Sequence, residues 1–305
     1  MGDFIGSSDI LAERVRMEKA DLSRRRFTLL VGTLPASQIS LQGAGTRTAQ
    51  EVVRHIQTSL GGEWPPEGPD GFRAGDPNTP VTGIATTAMA TLDVLKRALK
   101  TSANLVVTYE PTFFSRQDAP EPGDTVYQSK KEFIDNNRLV VFRLRDHWHA
   151  RKENDMLTGL AEALGWTKYR VKPDDVLYEI PAISAEDAVA LIRKRLNLRG
   201  GLRAVGDRTA QVRRVMLYPG AMTTATMWQR YAETELLITG EVREWENTHY
   251  AADIHTIGEK RALVTIGRVA SEDPGMHVCA KWLKAIVPDI PARWIPAGDL
   301  YWRAA

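Results

Sequence analysis

Hydrophobic residues along this chain fall into two alternating patterns. Short apolar runs, typical of buried strands, are followed by segments in which apolar residues recur every three or four positions, typical of amphipathic helices. One such run is Leu105–Thr108, which continues into Tyr109 and Glu110 before Pro111 stops the strand. The alternation of strands and helices predicts an α/β protein built on a layered sheet.

The predicted elements follow this alternation through most of the chain. The predicted strands are 81–87, 105–108, 139–144, 176–180, 212–218, 236–239 and 262–266. The predicted helices are 48–59, 88–100, 126–137, 155–164, 184–196, 223–233, 245–257 and 275–286. Two α/β lobes are therefore expected, a first lobe at 46–168 and a second at 208–305, with a less regular middle segment at 169–207.

Residues 1–45 lack this alternation and are expected to lie outside the fold. Three arginines at 24–26 precede a short apolar segment. Paired arginines in this position resemble a twin-arginine export signal, which predicts an exported, periplasmic protein. A flexible basic arm on a cytoplasmic protein is the alternative.

Composition narrows the class of protein. The chain has 305 residues, of which 43% are hydrophobic, so it can bury a sizeable core. Its formal net charge of +2 gives no electrostatic footprint for nucleic acid. The single cysteine, Cys279, excludes an intrachain disulfide and every multi-cysteine metal motif. No apolar run approaches the roughly 20 residues that span a bilayer.

Polar residues follow three of the predicted strands. Glu110 follows the strand 105–108, a cluster of Asp146, His147 and His149 follows a second strand, and Glu272 comes after a third. Ligands of open α/β sheets bind outside the carboxyl ends of the strands. We therefore expect these residues to share one cleft.

Each of these residues also has a purely structural interpretation. Glu110 can cap a neighbouring helix, and the residues 146–149 can form an ordinary loop in which Trp148 packs and His147 faces solvent. Glu272 stands before Asp273 and Pro274, where acidic residues stabilise the N-terminus of a helix.

Several short motifs, taken in order, resemble a known family. They are Gly83-Ile84, TYEPTF at 108–113, RDHWHA at 145–150, GEV at 240–242 and GRVASE at 267–272. Over residues 48–302 the chain resembles the Nif-three-like dinuclear metal-centre proteins, in particular a bacterial branch that often carries a twin-arginine-type leader. The resemblance implies two α/β lobes that pair into a toroidal homohexamer, with two divalent metal ions between the lobes.

The resemblance also implies an activity and a set of metal ligands. Glu110, His149 and Glu272 occupy ligand positions and would hold zinc, manganese or iron. The implied reaction is metal-dependent hydrolysis of a small anionic substrate, with a metal-bound water as the nucleophile. Asp146 or His147 would carry the proton.

Three positions depart from the family's pattern, because Tyr109, Arg145 and Arg268 stand where the family has histidine. A guanidinium offers no lone pair and stays charged, so it cannot coordinate a cation. Arg268 and Glu272 are spaced to pair on one face of a helix. The alternative is therefore a metal-depleted, non-catalytic relative, in which the pocket of Arg145 and Arg268 is salt-bridged to Glu110 and Glu272 or binds an anion. A third alternative is an oligomeric scaffold.

Overall fold

Two mixed five-stranded sheets form the framework of the protein. The computed structural model describes residues 47–302, apart from residues 116, 120 and 174. The strands are β1 (Gly71–Ala74), β2 (Ile84–Thr87), β3 (Leu105–Thr108), β4 (Val140–Arg143), β5 (Leu177–Ser184), β6 (Arg203–Gly206), β7 (Gln211–Met222), β8 (Leu236–Val242), β9 (Ala262–Thr265) and β10 (Ala292–Trp294).

Helices cover and connect these strands. They are α1 (Ala49–Leu60), α2 (Leu92–Lys100), α3 (Thr125–Asn136), α4 (Asp146–His149), α5 (Asp155–Leu164), α6 (Ala185–Arg195), α7 (Thr224–Tyr231), α8 (His249–Thr256) and α9 (Arg268–Ile286). A π-helical turn, Glu244–Thr248, leads into α8. Local sequence fixes several of the helix ends. Thr48 and Glu51 form a reciprocal capping box at α1, and Gly165 ends α5 in the left-handed conformation with φ of 75°.

The first sheet has the strand order β1-β4-β3-β2-β10. Strands β10, β2, β3 and β4 are parallel, and β1 is antiparallel to β4. Successive residues of β3 belong to different clusters of buried side chains, with Leu105 in one and Val106 in the other. The sheet is therefore buried on both faces, as its unbroken apolar strands predict. Thr108 lies opposite Arg143, so the segments that follow β3 and β4 leave the sheet side by side.

The second sheet has the order β5-β7-β8-β9-β6. Its three central strands are parallel, and the two edge strands run antiparallel to them. Thr239 of β8 lies opposite Thr265 of β9, which brings Gly240 and Gly267 together at the carboxyl edge. Gly267 donates its backbone N–H to the Gly240 carbonyl at 2.9 Å.

Helix α9 joins the two sheets, since it contacts β2 and β10 of the first and β7 and β8 of the second. It also crosses α5 at close range, because a side chain on Gly159 would overlap the Pro274 carbonyl. The helix begins at Arg268, not at 275 as expected. Pro274 lies inside it, and the tertiary contacts on both sides outweigh the hydrogen bond that a proline removes.

The predicted α/β class with two sheets is confirmed. However, the division of the strands between the two sheets does not follow the predicted lobe boundaries. β5 and β6, from the middle segment 169–207, lie in the second sheet, and β10, near the C-terminal end of the described residues, returns to the first. Strand β7 also continues through Pro219 and Gly220, where a break was expected, with a shift in register against β8.

Two predictions concern membranes and export. Within the described residues, every helix is too short or too polar to cross a bilayer. The predicted export signal at 1–45 lies outside the described residues, so export stays a prediction.

Candidate functional site

Arg268 lies between two carboxylates that come from opposite lobes. Its Nη2 and Nε atoms donate to Glu110 Oε1 at 2.9 Å and 3.1 Å, and its Nε lies 3.6 Å from Glu272 Oε1. Its Nη1 contacts a third carboxylate, Glu241 Oε1, at 3.2 Å. Burial lowers the pKa of Arg268, but the carboxylates Glu272, Glu110 and Glu241 outweigh it, and the net shift is upward. The guanidinium is therefore a fixed positive charge at the centre of the site.

Helix geometry explains how Arg268 reaches both acids. Because α9 starts at Arg268, Glu272 stands one turn later on the same face of the helix. Glu110 follows β3 and approaches the guanidinium from the first sheet. The site is thus assembled from the carboxyl ends of β3 and β9, as the strand-end pattern predicted.

Glu272 is almost completely buried, with 3% of its surface exposed. Burial first, and then the adjacent Glu110 carboxylate, raise the pKa of Glu272, while Arg268 opposes the shift. The upward shift favours the protonated form of the Glu272 carboxyl group. Gly220 leaves the room for this carboxyl group, because a Cβ atom there would lie 2.8 Å from Glu272 Oε1.

Tyr109 connects this cluster to His149. The Tyr109 hydroxyl lies 3.0 Å from His149 Nδ1, and the Arg145 guanidinium lies over the Tyr109 ring, 5.3 Å from its centroid. Burial and the Glu272 carboxylate raise the pKa of Tyr109, so it stays a phenol. Burial and then Arg145 lower the pKa of His149, so its ring is neutral at pH 7.

His147 is held away from this cluster. Its Nδ1 lies 2.6 Å from Asp70 Oδ2, its Nε2 lies 3.1 Å from the Glu63 carbonyl oxygen, and its ring stacks on Trp64 at 3.6 Å. Asp70 also accepts the backbone N–H groups of residues 145, 146 and 147. These contacts make His147 part of the support for α4 and leave neither ring nitrogen open to a substrate.

A cavity of about 680 Å³ opens beside Arg268 and Glu110. Four arginines line it, together with the acidic residues Glu67, Glu110 and Asp146. The arginines are Arg73, Arg143, Arg145 and Arg268. The sequence analysis did not select Arg73 or Arg143; for Arg143 the available signal was a charged residue within the apolar run of β4. Both guanidiniums lie near buried Asp118, at 3.5 Å for Arg73 Nε and 3.8 Å for Arg143 Nη1.

The side chains of this site do not fit the two divalent ions that the resemblance implies. Arg268 occupies the position between Glu110 and Glu272, and Arg145 Nε lies 3.9 Å from Glu110 Oε1. Two like charges there oppose a cation. Tyr109 could coordinate only as a phenolate, and its raised pKa opposes that form. In the part of the chain that the structure describes, no three His, Cys, Asp or Glu side chains are grouped to hold a metal.

The fold and the site define an α/β protein in which buried carboxylates at the carboxyl edges of two sheets are neutralised by arginine. The model of the Duf34/NIF3 (NGG1p interacting factor 3) family matches residues 51–295, and the chain belongs to that family. It is also similar to a GTP cyclohydrolase 1 type 2 homolog of Chlamydia muridarum, with 24% identity over 227 residues, 72% of this chain and 86% of the relative.

Solved structures share the fold. A Staphylococcus aureus protein has a TM-score of 0.63 at 15% identity and covers 85% of this chain and 100% of its own. A Bacillus cereus protein related to NIF3 has a TM-score of 0.63 at 13% identity, with the same shares covered. At these identities the similarity concerns the fold alone.

Proposed function

We propose that this chain is a metal-depleted member of the Duf34/NIF3 family that binds a small anionic ligand in its arginine-lined cavity. The observation that carries the proposal is the position of Arg268, whose guanidinium contacts Glu110 and Glu272 in place of a metal cation. The acids of the site are thereby neutralised from within the chain. The other arginines of the cavity then provide charge for a ligand.

Arg145 is the residue best placed to contact that ligand. Its partner Asp146 is more than half exposed, and the two side chains are 3.2 Å apart. An exposed ion pair contributes about 0–1 kcal/mol, so an entering anion can replace Asp146 at little cost. Arginine also matches the oxygens of a phosphate with two parallel hydrogen bonds.

The names of curated relatives agree with an anionic ligand. Two of them are called GTP cyclohydrolase 1 type 2 homologs, and GTP is a nucleoside triphosphate. We infer from this only the chemical class of the ligand, an organic or inorganic phosphate. Assembly into a toroidal homohexamer also stays a proposal from family membership, which light scattering of the purified protein would test.

Titration calorimetry with inorganic pyrophosphate, on dialysed protein of known metal content, tests the proposal. We expect binding without added metal, unchanged by a chelator. Arg145→Gln should weaken it about tenfold, since a hydrogen bond to a charged group contributes about 1.5–3 kcal/mol. Arg230→Gln is the matched control, because Arg230 forms an exposed pair with Glu233 away from the cavity.

Two results would overturn the proposal. One is pyrophosphate affinity that is equal in the wild type and in Arg145→Gln. The other is stoichiometric zinc, iron or manganese in the dialysed protein that disappears in Glu272→Ala. The second result would restore the metal-dependent hydrolase as the better description.

A further inference from the structure

We propose that the ligand of the arginine-lined cavity is a phosphate ester of a polyhydroxylated compound, such as a sugar phosphate. The inference rests on the proposed function, because it assigns the chemical class of the ligand that this cavity binds. Two features carry it: the volume of the cavity, and the carboxylate of Glu67 on its wall, which has no partner among the described residues.

The cavity is larger than an inorganic anion requires. Its volume of about 680 Å³ lies in the range that is usual for pockets that bind small organic molecules, about 300–1,000 Å³. A water molecule occupies about 30 Å³ in the liquid, so an inorganic phosphate or pyrophosphate would leave most of this volume to water. The remaining space indicates an organic group attached to the phosphate.

The segment 66–69 forms one wall of the cavity and is fixed by hydrogen bonds. The Gly68 N–H donates to the Pro65 carbonyl at 2.9 Å, which closes a tight turn around Glu67. Arg73 Nη2 donates to the carbonyls of Gly68 and Pro69 at 3.0 Å and 2.6 Å. Arg73 therefore supports this wall, and the backbone of the turn sets the position of Glu67.

Glu67 carries a carboxylate that the chain itself does not neutralise. Its side chain is exposed and makes no hydrogen bond or ion pair with the described residues, although four arginines line the same cavity. Arg145 contacts Asp146 at 3.2 Å and Glu110 at 3.9 Å, and it forms no ion pair with Glu67. A ligand that binds both Arg145 and Glu67 must therefore carry an anionic group and, at a distance from it, a hydrogen-bond donor.

Hydroxyl groups fit this donor better than an ammonium group does. A carboxylate has two acceptor oxygens, so Glu67 can accept hydrogen bonds from two neighbouring hydroxyls. An ammonium group would lie among the guanidiniums of the cavity, and like charges repel each other. Gln117 also lines the cavity, and its amide can both donate to hydroxyl groups and accept from them.

Proline rings supply apolar surface in the same cavity, from Pro66, Pro69 and Pro111. The C–H groups of a sugar ring are apolar, and packing them against proline rings removes them from water. The lining thus offers arginine for a phosphate, a carboxylate and an amide for hydroxyl groups, and proline for the ring that carries them. Together these groups match a sugar phosphate better than an inorganic anion.

Titration calorimetry of the full chain with ribose 5-phosphate, beside inorganic phosphate, tests the inference. We expect ribose 5-phosphate to bind about tenfold more tightly than phosphate, and Glu67→Ala to remove that difference without changing phosphate affinity. Glu67→Gln should retain part of the affinity, because its amide oxygen still accepts one hydroxyl. Glu63→Ala is the matched control, since Glu63 is an exposed acid of the same loop that does not line the cavity.

Three outcomes would overturn the inference. They are equal affinity of the wild type for ribose 5-phosphate and phosphate, equal weakening of both ligands in Glu67→Ala, and tighter binding of O-phosphoethanolamine than of ribose 5-phosphate. If pyrophosphate binding depends on Arg145 while ribose 5-phosphate gains nothing over phosphate, only this inference fails and the proposed function stands. If the wild type binds neither pyrophosphate nor ribose 5-phosphate, both fail.

Discussion

Arg268 Nη2 and Glu110 Oε1 lie 2.9 Å apart, although the two residues are separated by 158 positions in the sequence. The contact joins α9 to the segment after β3, so it bridges the two sheets. Glu110 is 9% exposed and Glu272 3% exposed, and the Arg268 guanidinium contacts both carboxyl groups. One side chain therefore supports both the fold and the electrostatics of the site.

Removing this guanidinium should destabilise the protein. Breaking a buried ion pair by removing one partner leaves an uncompensated charge, at a cost of about 3–5 kcal/mol when both groups are fully buried. Because about a third of Arg268 is exposed, we expect about 2 kcal/mol for Arg268→Ala, measured by urea unfolding at pH 8. The surface control Arg230→Ala should change stability by no more than about 0.5 kcal/mol. Equal losses in both variants would contradict a central role for Arg268.

The raised pKa of Glu272, about 8 against an ordinary value of 4.5, makes stability depend on pH. Between these values the folded protein retains a proton that the unfolded chain has lost, so this group's contribution to stability falls as pH rises from about 4.5 to 8. Glu272→Gln has no such titration, and its stability relative to the wild type should increase over that range. Thermal unfolding of both proteins at several pH values measures the difference. A difference that stays constant with pH would show that Glu272 is ionised throughout.

Replacing the three departing residues by histidine should create metal affinity. In Tyr109→His/Arg145→His/Arg268→His, imidazoles supply lone pairs and two positive charges are removed, while Glu110 and Glu272 remain. We expect stoichiometric zinc by elemental analysis after dialysis, and thermal stability that falls on adding a chelator. The wild type is the matched control. It should retain no zinc after dialysis, and a chelator should not change its thermal stability. If the triple variant does not fold, Arg268→His alone should still bind zinc more tightly than the wild type. Equal zinc affinity would contradict the explanation that these three residues prevent metal binding.

Asp70 should contribute strongly to the stability of the folded protein, although it lies in a loop. It accepts three backbone N–H groups at the start of α4 and the Nδ1 of His147, and its side chain is 5% exposed. We expect Asp70→Ala to lower the free energy of unfolding by about 2 kcal/mol. It should also weaken pyrophosphate binding, because α4 positions Arg145. The control is Asp76→Ala, which removes a carboxylate bonded within an exposed turn and should have a much smaller effect.

The variant His147→Phe tests whether His147 stabilises the fold or takes part in ligand binding. The ring should still stack on Trp64 but loses its bonds to Asp70 and Glu63. We expect reduced thermal stability with pyrophosphate affinity retained in the folded fraction. Retained stability together with lost ligand affinity would return His147 to the functional site.

Local periodicity in the sequence determined the strands, most of the helices and the α/β class. It also placed Glu110 and Glu272 after strands, because side-chain alternation and chain breakers act over a few residues. The exceptions depended on distant contacts. The short strands β1, β6 and β10 are defined by their partners in the sheets, and α9 extends back to Arg268 despite Pro274.

Only the tertiary structure decided which charges meet. The sequence left Arg145 and Arg268 open to ion pairing or to anion binding, and it offered Asp146 or His147 as the proton carrier. The fold turned His147 to Asp70 and Trp64, and it set Arg268 between Glu110, Glu241 and Glu272. Which charged side chains meet depends on the packing of the two sheets against α9. A buried carboxylate needs a polar or charged partner, and here residues far away in the chain supply it.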